Sequence, residues 1–322
     1  MTVYVVDDGS PNYSELWKRF YREIATRLNW ELISRDRVPG TNGKKKAQQA
    51  ALTMHAEKKG WNKDDLILFL DADTCLEDPF LVQRLANAHK DSRVGAVSAQ
   101  LGVANQDRNQ VTKYLATEYE LTFLQDKAAQ SQHGMVMVVN GACGMWKWSA
   151  IEKVYDRYLQ GPATGDENTL TWEVLQAGYS TIMLPTIAKT EVPVTLAELA
   201  IQQVRWLRSD CLYIWKNYRF LFGKRKTFLL YDMSVDLFTP LLLPLAAVGC
   251  LWFLATGSGL LAMSQLLLLL TMVSVDALVI WYSTNHKIRL SYAFWSAIQV
   301  GFYGVIRIWA ILTYKQDVWV TK

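Results

Sequence analysis

Leu66-Ile67-Leu68-Phe69-Leu70-Asp71-Ala72-Asp73-Thr74 sets five apolar residues directly against two carboxylates on one turn. An apolar run of this length, closed by turn formers, reads as a buried strand. Working outward, Thr2-Val3-Tyr4-Val5-Val6 is a β-branched run that ends in the same manner, in Asp7-Asp8-Gly9-Ser10. Val94 to Ala99 and Met135 to Val139 read as further strands, and Tyr13 to Leu28 and Lys45 to Lys58 as helices. Strands with polar turns at their carboxyl ends, separated by helices, predict an open α/β sheet with its ligand outside those ends. No internal repeat or low-complexity segment interrupts this pattern.

The chain has 322 residues, 51% of them AVILMFWYC, with 34 basic against 30 acidic side chains. Such a chain buries at least one full domain core, and it is too apolar to be disordered. A net charge of +4 with no basic block longer than Lys44-Lys45-Lys46 or Lys224-Arg225-Lys226 argues against nucleic acid as a partner. Cys75, Cys143, Cys211 and Cys250 are scattered without a CxxC, which argues against zinc and against a disulfide framework and predicts reduced structural thiols.

Charge is unevenly spread. From Phe228 onward the basic residues are Lys287, Arg289, Arg307, Lys315 and Lys322, and the acidic ones Asp232, Asp236, Asp276 and Asp317. Leu237 to Val275 carries no charge, and Gly257-Ser258-Gly259 divides the apolar region into runs of about 237–255 and 260–281. Each run has the length of a bilayer crossing, and the basic flanks predict that both outer ends face the cytoplasm. The expectation is therefore a multi-pass protein of the cell (plasma) membrane with its charged front domain in the cytoplasm and the lipid bilayer as a partner. The third apolar stretch, 290–314, contains Gln299 and Arg307 and either crosses or lies at the interface, the interfacial form being favoured. Met1 to Ser10 is too short and too acidic for a signal peptide.

Two carboxylates on one turn are spaced to share a hard divalent ion and, through it, a diphosphate; the alternative is a turn or helix cap. Asp7-Asp8-Gly9-Ser10 offers a second acidic turn for a base or ribose edge, and Asp166-Glu167 is a third acidic pair. Lys44 to Lys46, after Gly43, serve either as phosphate counter-charges or as a solvated face.

These motifs, with Asn140-Gly141-Ala142-Cys143-Gly144-Met145-Trp146-Lys147, Gly165-Asp166-Glu167-Asn168-Thr169-Leu170-Thr171 and Gln202-Gln203-Val204-Arg205-Trp206, occur in the order seen in the processive family 2 glycosyltransferases. The chain resembles that group, which includes the cellulose, chitin, hyaluronan and poly-N-acetylglucosamine synthases. In motif detail it is most similar to the hyaluronan and chitin-oligomer synthases. The resemblance implies a GT-A-type nucleotide-sugar-binding sheet over 1–194, an interfacial segment over 195–227, and a membrane region over 228–322 closing in a Trp319-Val320-Thr321-Lys322 element.

It also implies an inverting, processive transfer of N-acetylglucosamine or a related hexose from a UDP-sugar to a growing polysaccharide or oligosaccharide, coupled to translocation. Asp7 and Asp8 would read the uridine, Asp71 the nucleotide, and Lys44, Gln202 and Arg205 the diphosphate. Asp73 would hold Mg²⁺ or Mn²⁺, Gly141, Cys143 and Trp206 would line the acceptor, and Trp319 would gate. The base would be Glu167, with Asp166 the alternative one residue upstream. Glutamate stands here where the family usually has aspartate, one methylene shorter. The family also carries a further strand and helix before Asp7-Asp8, so the resemblance implies either a fragment or a sheet with an unpaired edge. Two other functions stay open: a non-processive enzyme acting on a lipid-linked acceptor, and a catalytically impaired nucleotide-sugar-binding protein.

Overall fold

A computed structural model describes residues 1–9, 15–36, 43–160, 166–222, 227–283 and 290–315. Strand β1 (Tyr4–Asp7), helix α1 (Glu15–Leu28) and strand β2 (Glu31–Ser34) form a parallel βαβ unit, with Tyr4 opposite Glu31. Helix α2 (Gly43–Lys58) leads to strand β3 (Leu66–Leu70), the short strand β4 (Cys75–Leu76), helix α3 (Leu81–Ala88) and the long strand β5 (Val94–Val103). Helix α4 (Gln110–Leu121) runs into a π-helical segment, Thr122–Lys127, and helix α5 (Ala128–Gln132). Then follow strand β6 (Cys143–Lys147), helices α6 (Trp148–Ile151), α7 (Tyr155–Gln160) and α8 (Asp166–Gln176), and strand β7 (Ser180–Thr190).

The main sheet has five strands in the order β3-β6-β5-β7-β4. It is mixed: β5 and β7 are parallel, while β6 runs antiparallel to both β3 and β5, and β4 antiparallel to β7. Alternation along β5 builds the layers. Val97, Ala99 and Leu101 face Leu81, Leu85 and Phe123, whereas Ala96 faces Ile67, Trp146, Leu170 and Val174 on the other side. The result is a sheet covered by helices on both faces, as the sequence pattern predicts. Among the described residues, the two N-terminal strands pair with each other and form a sheet separate from the five-stranded one.

One expected strand is not there. Met135 makes a single bridge to Thr181, and Met135 to Val139 otherwise stays outside the sheet. The backbone donors of Met135 and Val136 go to the carbonyls of Gln130 and Thr181, and beyond them side chains take over: Met137 N–H donates to Gln130, Val139 N–H to the Thr171 hydroxyl, and Asn140 N–H to the Ser98 hydroxyl. A backbone satisfied in this way has no ladder left to form.

The rear of the chain is helical: α9 (Leu196–Leu221), α10 (Thr227–Ala255), α11 (Gly259–Ser283) and α12 (Leu290–Thr313). The expected crossings at 237–255 and 260–281 lie inside α10 and α11. Among the described residues no helix is long and apolar enough to cross a membrane. The reading as a multi-pass protein of the plasma membrane is corrected on that finding. Polar groups on these helices bond instead to the α/β domain and to one another. Gln130 donates to Asp232 at 2.8 Å, Tyr303 to Glu118 at 2.6 Å, and Arg208 to the Thr313 hydroxyl at 2.8 Å. Arg307 is buried and donates to the backbone carbonyl of Asp236. Apolar contacts complete the seam: Leu229 and Met233 pack with Trp172 and Tyr213, and Ile306 and Ala310 with Leu207.

Candidate active site

The carboxyl end of β3 delivers Asp71 and Asp73 on a turn closed by Thr74 N–H donating to the Asp71 carbonyl at 3.1 Å. Asp71 N–H in turn donates to the carbonyl of Ala142, which ties this turn to the loop preceding β6. The first turn of α2 supplies Lys44, and the first turn of α8 supplies Glu167, where the helix dipole favours an anion. Three segments distant in sequence therefore meet at one ammonium. Lys44 Nζ lies 2.6 Å from Asp71 Oδ1 and 2.5 Å from Glu167 Oε1.

Glycines make the room. A Cβ on Gly141 would overlap the Glu167 carboxylate and lie 2.5 Å from Lys44 Nζ, and a Cβ on Gly43 would overlap the Asp8 carboxylate. Gly141 thus lies directly against the ion pair, and Asp8 borders the start of α2. Asp7 accepts from Gly9 N–H at 3.2 Å and from the Ser34 hydroxyl at 3.5 Å, which fixes the acidic turn after β1.

The electrostatics follow from burial and from Lys44. Burial works to raise Glu167, but the Lys44 ammonium, helped by Arg205 on α9, carries it below its ordinary value. Asp71 moves the other way: its burial outweighs the attraction of Lys44 and raises it. Gln202 and Arg205 are one turn apart on α9, half-buried, and Trp206 beside them is exposed. Asp166 opens α8 immediately before Glu167.

Asp73 is exposed, and its Oδ1 accepts from the Thr190 hydroxyl at 3.2 Å. Among the described residues no three His, Cys, Asp or Glu side chains converge as a metal cage. The donor set nonetheless fits Mg²⁺ or Mn²⁺ bound through one carboxylate with phosphate oxygens and water completing the shell, as Mg²⁺ prefers. Cys143 does not join the site. It is fully buried in β6 opposite Leu70, packed in the core, and burial pushes its thiol up to about 12. A side chain facing the core cannot line an acceptor. Trp319 lies outside the described residues.

Two features have no counterpart in the sequence reading. Lys127, at the end of the π-helical segment, donates to the carbonyl of Val138 at 2.8 Å and to the side chain of Asn140, pinning the loop that carries Gly141. Burial lowers its amine to about 7. Behind Glu167, Asn168 donates to Asp210 of α9 at 2.5 Å, and burial, reinforced by Asp236, lifts Asp210 to about 7. A π-helical turn is rare and recurs at functional sites, and residue spacing does not announce it.

Comparison with known proteins bears on this arrangement. The profile described as "Glycosyltransferase like family 2" matches residues 1–209. An N-acetylglucosaminyltransferase of Mesorhizobium japonicum is 29% identical over 330 residues, covering 100% of this chain and 74% of that protein. One of Neorhizobium galegae is 30% identical over 335 residues, covering 100% of this chain and 73% of its own length. One of Rhizobium meliloti is 36% identical over 217 residues, 65% of this chain and 48% of that protein. Among solved structures, mannosyltransferase PcManGT from Pyrobaculum calidifontis, in complex with GDP-Man and Mn²⁺, matches with a TM-score of 0.62 over 98% of this chain and 78% of that one. At 20% sequence identity that likeness is one of fold.

Proposed function

Because this chain belongs to glycosyltransferase family 2 and is a glycosyltransferase, we propose that it transfers N-acetylglucosamine from UDP-N-acetylglucosamine to a hydroxyl of a growing oligosaccharide, with inversion and processively. The sugar is carried from the names of the relatives, and the observation that supports the chemistry is the Lys44 bridge between Asp71 and Glu167. In this reading Asp7 and Asp8 hold the uridine and Asp71 the nucleotide. Gln202 and Arg205 bind the diphosphate, a task that suits a forked, permanently charged guanidinium. Trp206 offers an exposed indole face to a pyranose, and Gly141 leaves space beside the reacting groups.

The reaction balances on these residues. The acceptor hydroxyl oxygen attacks the anomeric carbon, its proton passes to a Glu167 oxygen, and the bond to the UDP oxygen breaks on the opposite face. Arg205 and Gln202 meet the charge that develops on the departing diphosphate. A divalent ion held by Asp73 supplies further neutralisation of that charge when bound.

A UDP-release assay with UDP-N-acetylglucosamine, UDP-glucose and UDP-galactose, read with Glu167→Gln and Asp166→Asn, tests the proposal. N-acetylglucosamine should be preferred, and Glu167→Gln should lose transfer by at least about a hundredfold while UDP affinity stays near normal, since the proton acceptor is needed only in the chemical step. Activity retained in Glu167→Gln and lost in Asp166→Asn would move the base one residue upstream.

A further inference from the structure

We propose that Lys44 is a donor-operated lock on Glu167: its ammonium holds the carboxylate in an ion pair until a nucleoside diphosphate draws it away. The inference rests on the reading of Glu167 as base, and deepens it by adding a positioning role to Lys44. The geometry is specific. One Nζ lies 2.5 Å from Glu167 Oε1 and 2.6 Å from Asp71 Oδ1, so a single amine spans the base and the residue expected to face the nucleotide. An oxygen paired this closely is a poor proton acceptor, because protonation forfeits the charge-assisted contact.

The partner that releases the lock is defined by charge. A diphosphate brings more negative charge than the single Asp71 carboxylate to the same partly desolvated space, and a lysine is a point charge on a flexible stem that re-aims at little strain. Lys44 lies at the nucleotide end of the site, in the first turn of α2 beside Gly43 and Asp8. Movement toward the diphosphate leaves Glu167 against the backbone of Gly141.

The charged groups facing Glu167 are then few. Lys44 on α2 has moved, and Asp71 after β3 bears a negative charge. Arg205 on α9 is engaged by the same diphosphate. Lys127 of the π-helical segment, which feels the Glu167 charge, is held by the Val138 carbonyl and Asn140, and Asp210 on α9 accepts from Asn168. Burial, which works to raise Glu167, is then opposed chiefly by the residue's own backbone N–H, and with the Lys44 contact gone the carboxylate becomes a stronger base once donor is present. Donor binding therefore precedes activation of the acceptor hydroxyl.

Calorimetric titration of the full chain with UDP and Mn²⁺, in buffers of different ionisation enthalpy over pH 5 to 8, tests this. Wild type should take up a fraction of a proton from buffer on binding UDP, and Glu167→Gln should lack that component. Lys44→Met keeps Glu167 but has no lock to open. It should bind UDP at least about tenfold more weakly, as expected for a lost charge-assisted contact, with linkage reduced to that of Glu167→Gln. Linkage equal in wild type, Glu167→Gln and Lys44→Met, with transfer absent in Glu167→Gln, overturns the lock and leaves the base in place. Transfer retained in Glu167→Gln removes the base and the lock together.

Discussion

At the scale of single residues, Gly141 is the position where the site has least tolerance. Its Cα lies against both members of the Lys44–Glu167 pair, so a methyl group there must displace one of them. Displacements of about an ångström at reacting groups reduce rates by about a hundredfold. Gly141→Ala should therefore lose about two orders of magnitude in UDP release while its thermal midpoint stays within a few degrees of wild type, since the loop is held by Lys127 and Asn140 and not by Gly141. A fall in thermal midpoint parallel to the loss of activity would instead make the glycine a folding requirement. Lys44, Asp71 and Glu167 were legible in the sequence through motif order, and the structure brings these three together. Cys143 belongs to the same stretch of motif as Gly141, yet strand alternation turns it into the core, which motif order does not show.

Among elements, the contact between α8 and α9 carries a pH dependence. Asp210 titrates near 7 in the folded chain against about 3.9 in an unfolded one. Between those values the native state binds the proton and the unfolded state does not, so stability is highest at low pH and declines as pH rises toward 7. Asp126, lifted to about 6 by burial and by Asp232 and Asp236, contributes in the same direction. Asp210→Asn keeps an acceptor oxygen for Asn168 and cannot ionise. Denaturant titrations from pH 4 to 8 should show it more stable than wild type at pH 8, by up to a few kcal/mol, with the difference vanishing near pH 4. An unchanged difference across that range would exclude the carboxyl of Asp210 as its source. Strand β7 shows why element reading from sequence stops where it does. Pro185 cannot donate to a ladder, and the pairing with β5 jumps from Leu184 to Ile187 around it, so an eleven-residue strand presents itself in sequence as two fragments. The long helices at the rear were legible as apolar runs, but their partners were not, because Gln130–Asp232 and Glu118–Tyr303 join residues 102 and 185 apart.

For the molecule as a whole, the rear helices complete the α/β domain. Trp172 and Tyr213 are buried against Leu229 and Met233, and Leu199 and Leu207 against Phe302, Tyr303, Ile306 and Ala310. A chain ending at residue 222 uncovers these side chains, each of which gains about 1.5–3 kcal/mol from burial. It should collect in the insoluble fraction, and the portion recovered should bind a hydrophobic dye and release no UDP. A soluble, active 1–222 fragment would show that the rear is dispensable. The fastening of α12 to α9 has a temporal consequence. Arg208 lies one turn beyond Arg205, and its partner Thr313 is made 105 residues later. At ribosomal speeds of about 5–20 residues per second, the helix that presents Arg205 waits several seconds for its last support. During that interval the helix that carries Arg205, the counter-charge proposed above, lacks its Arg208–Thr313 contact, so the proposed site is completed only after the last strand of the sheet has been made.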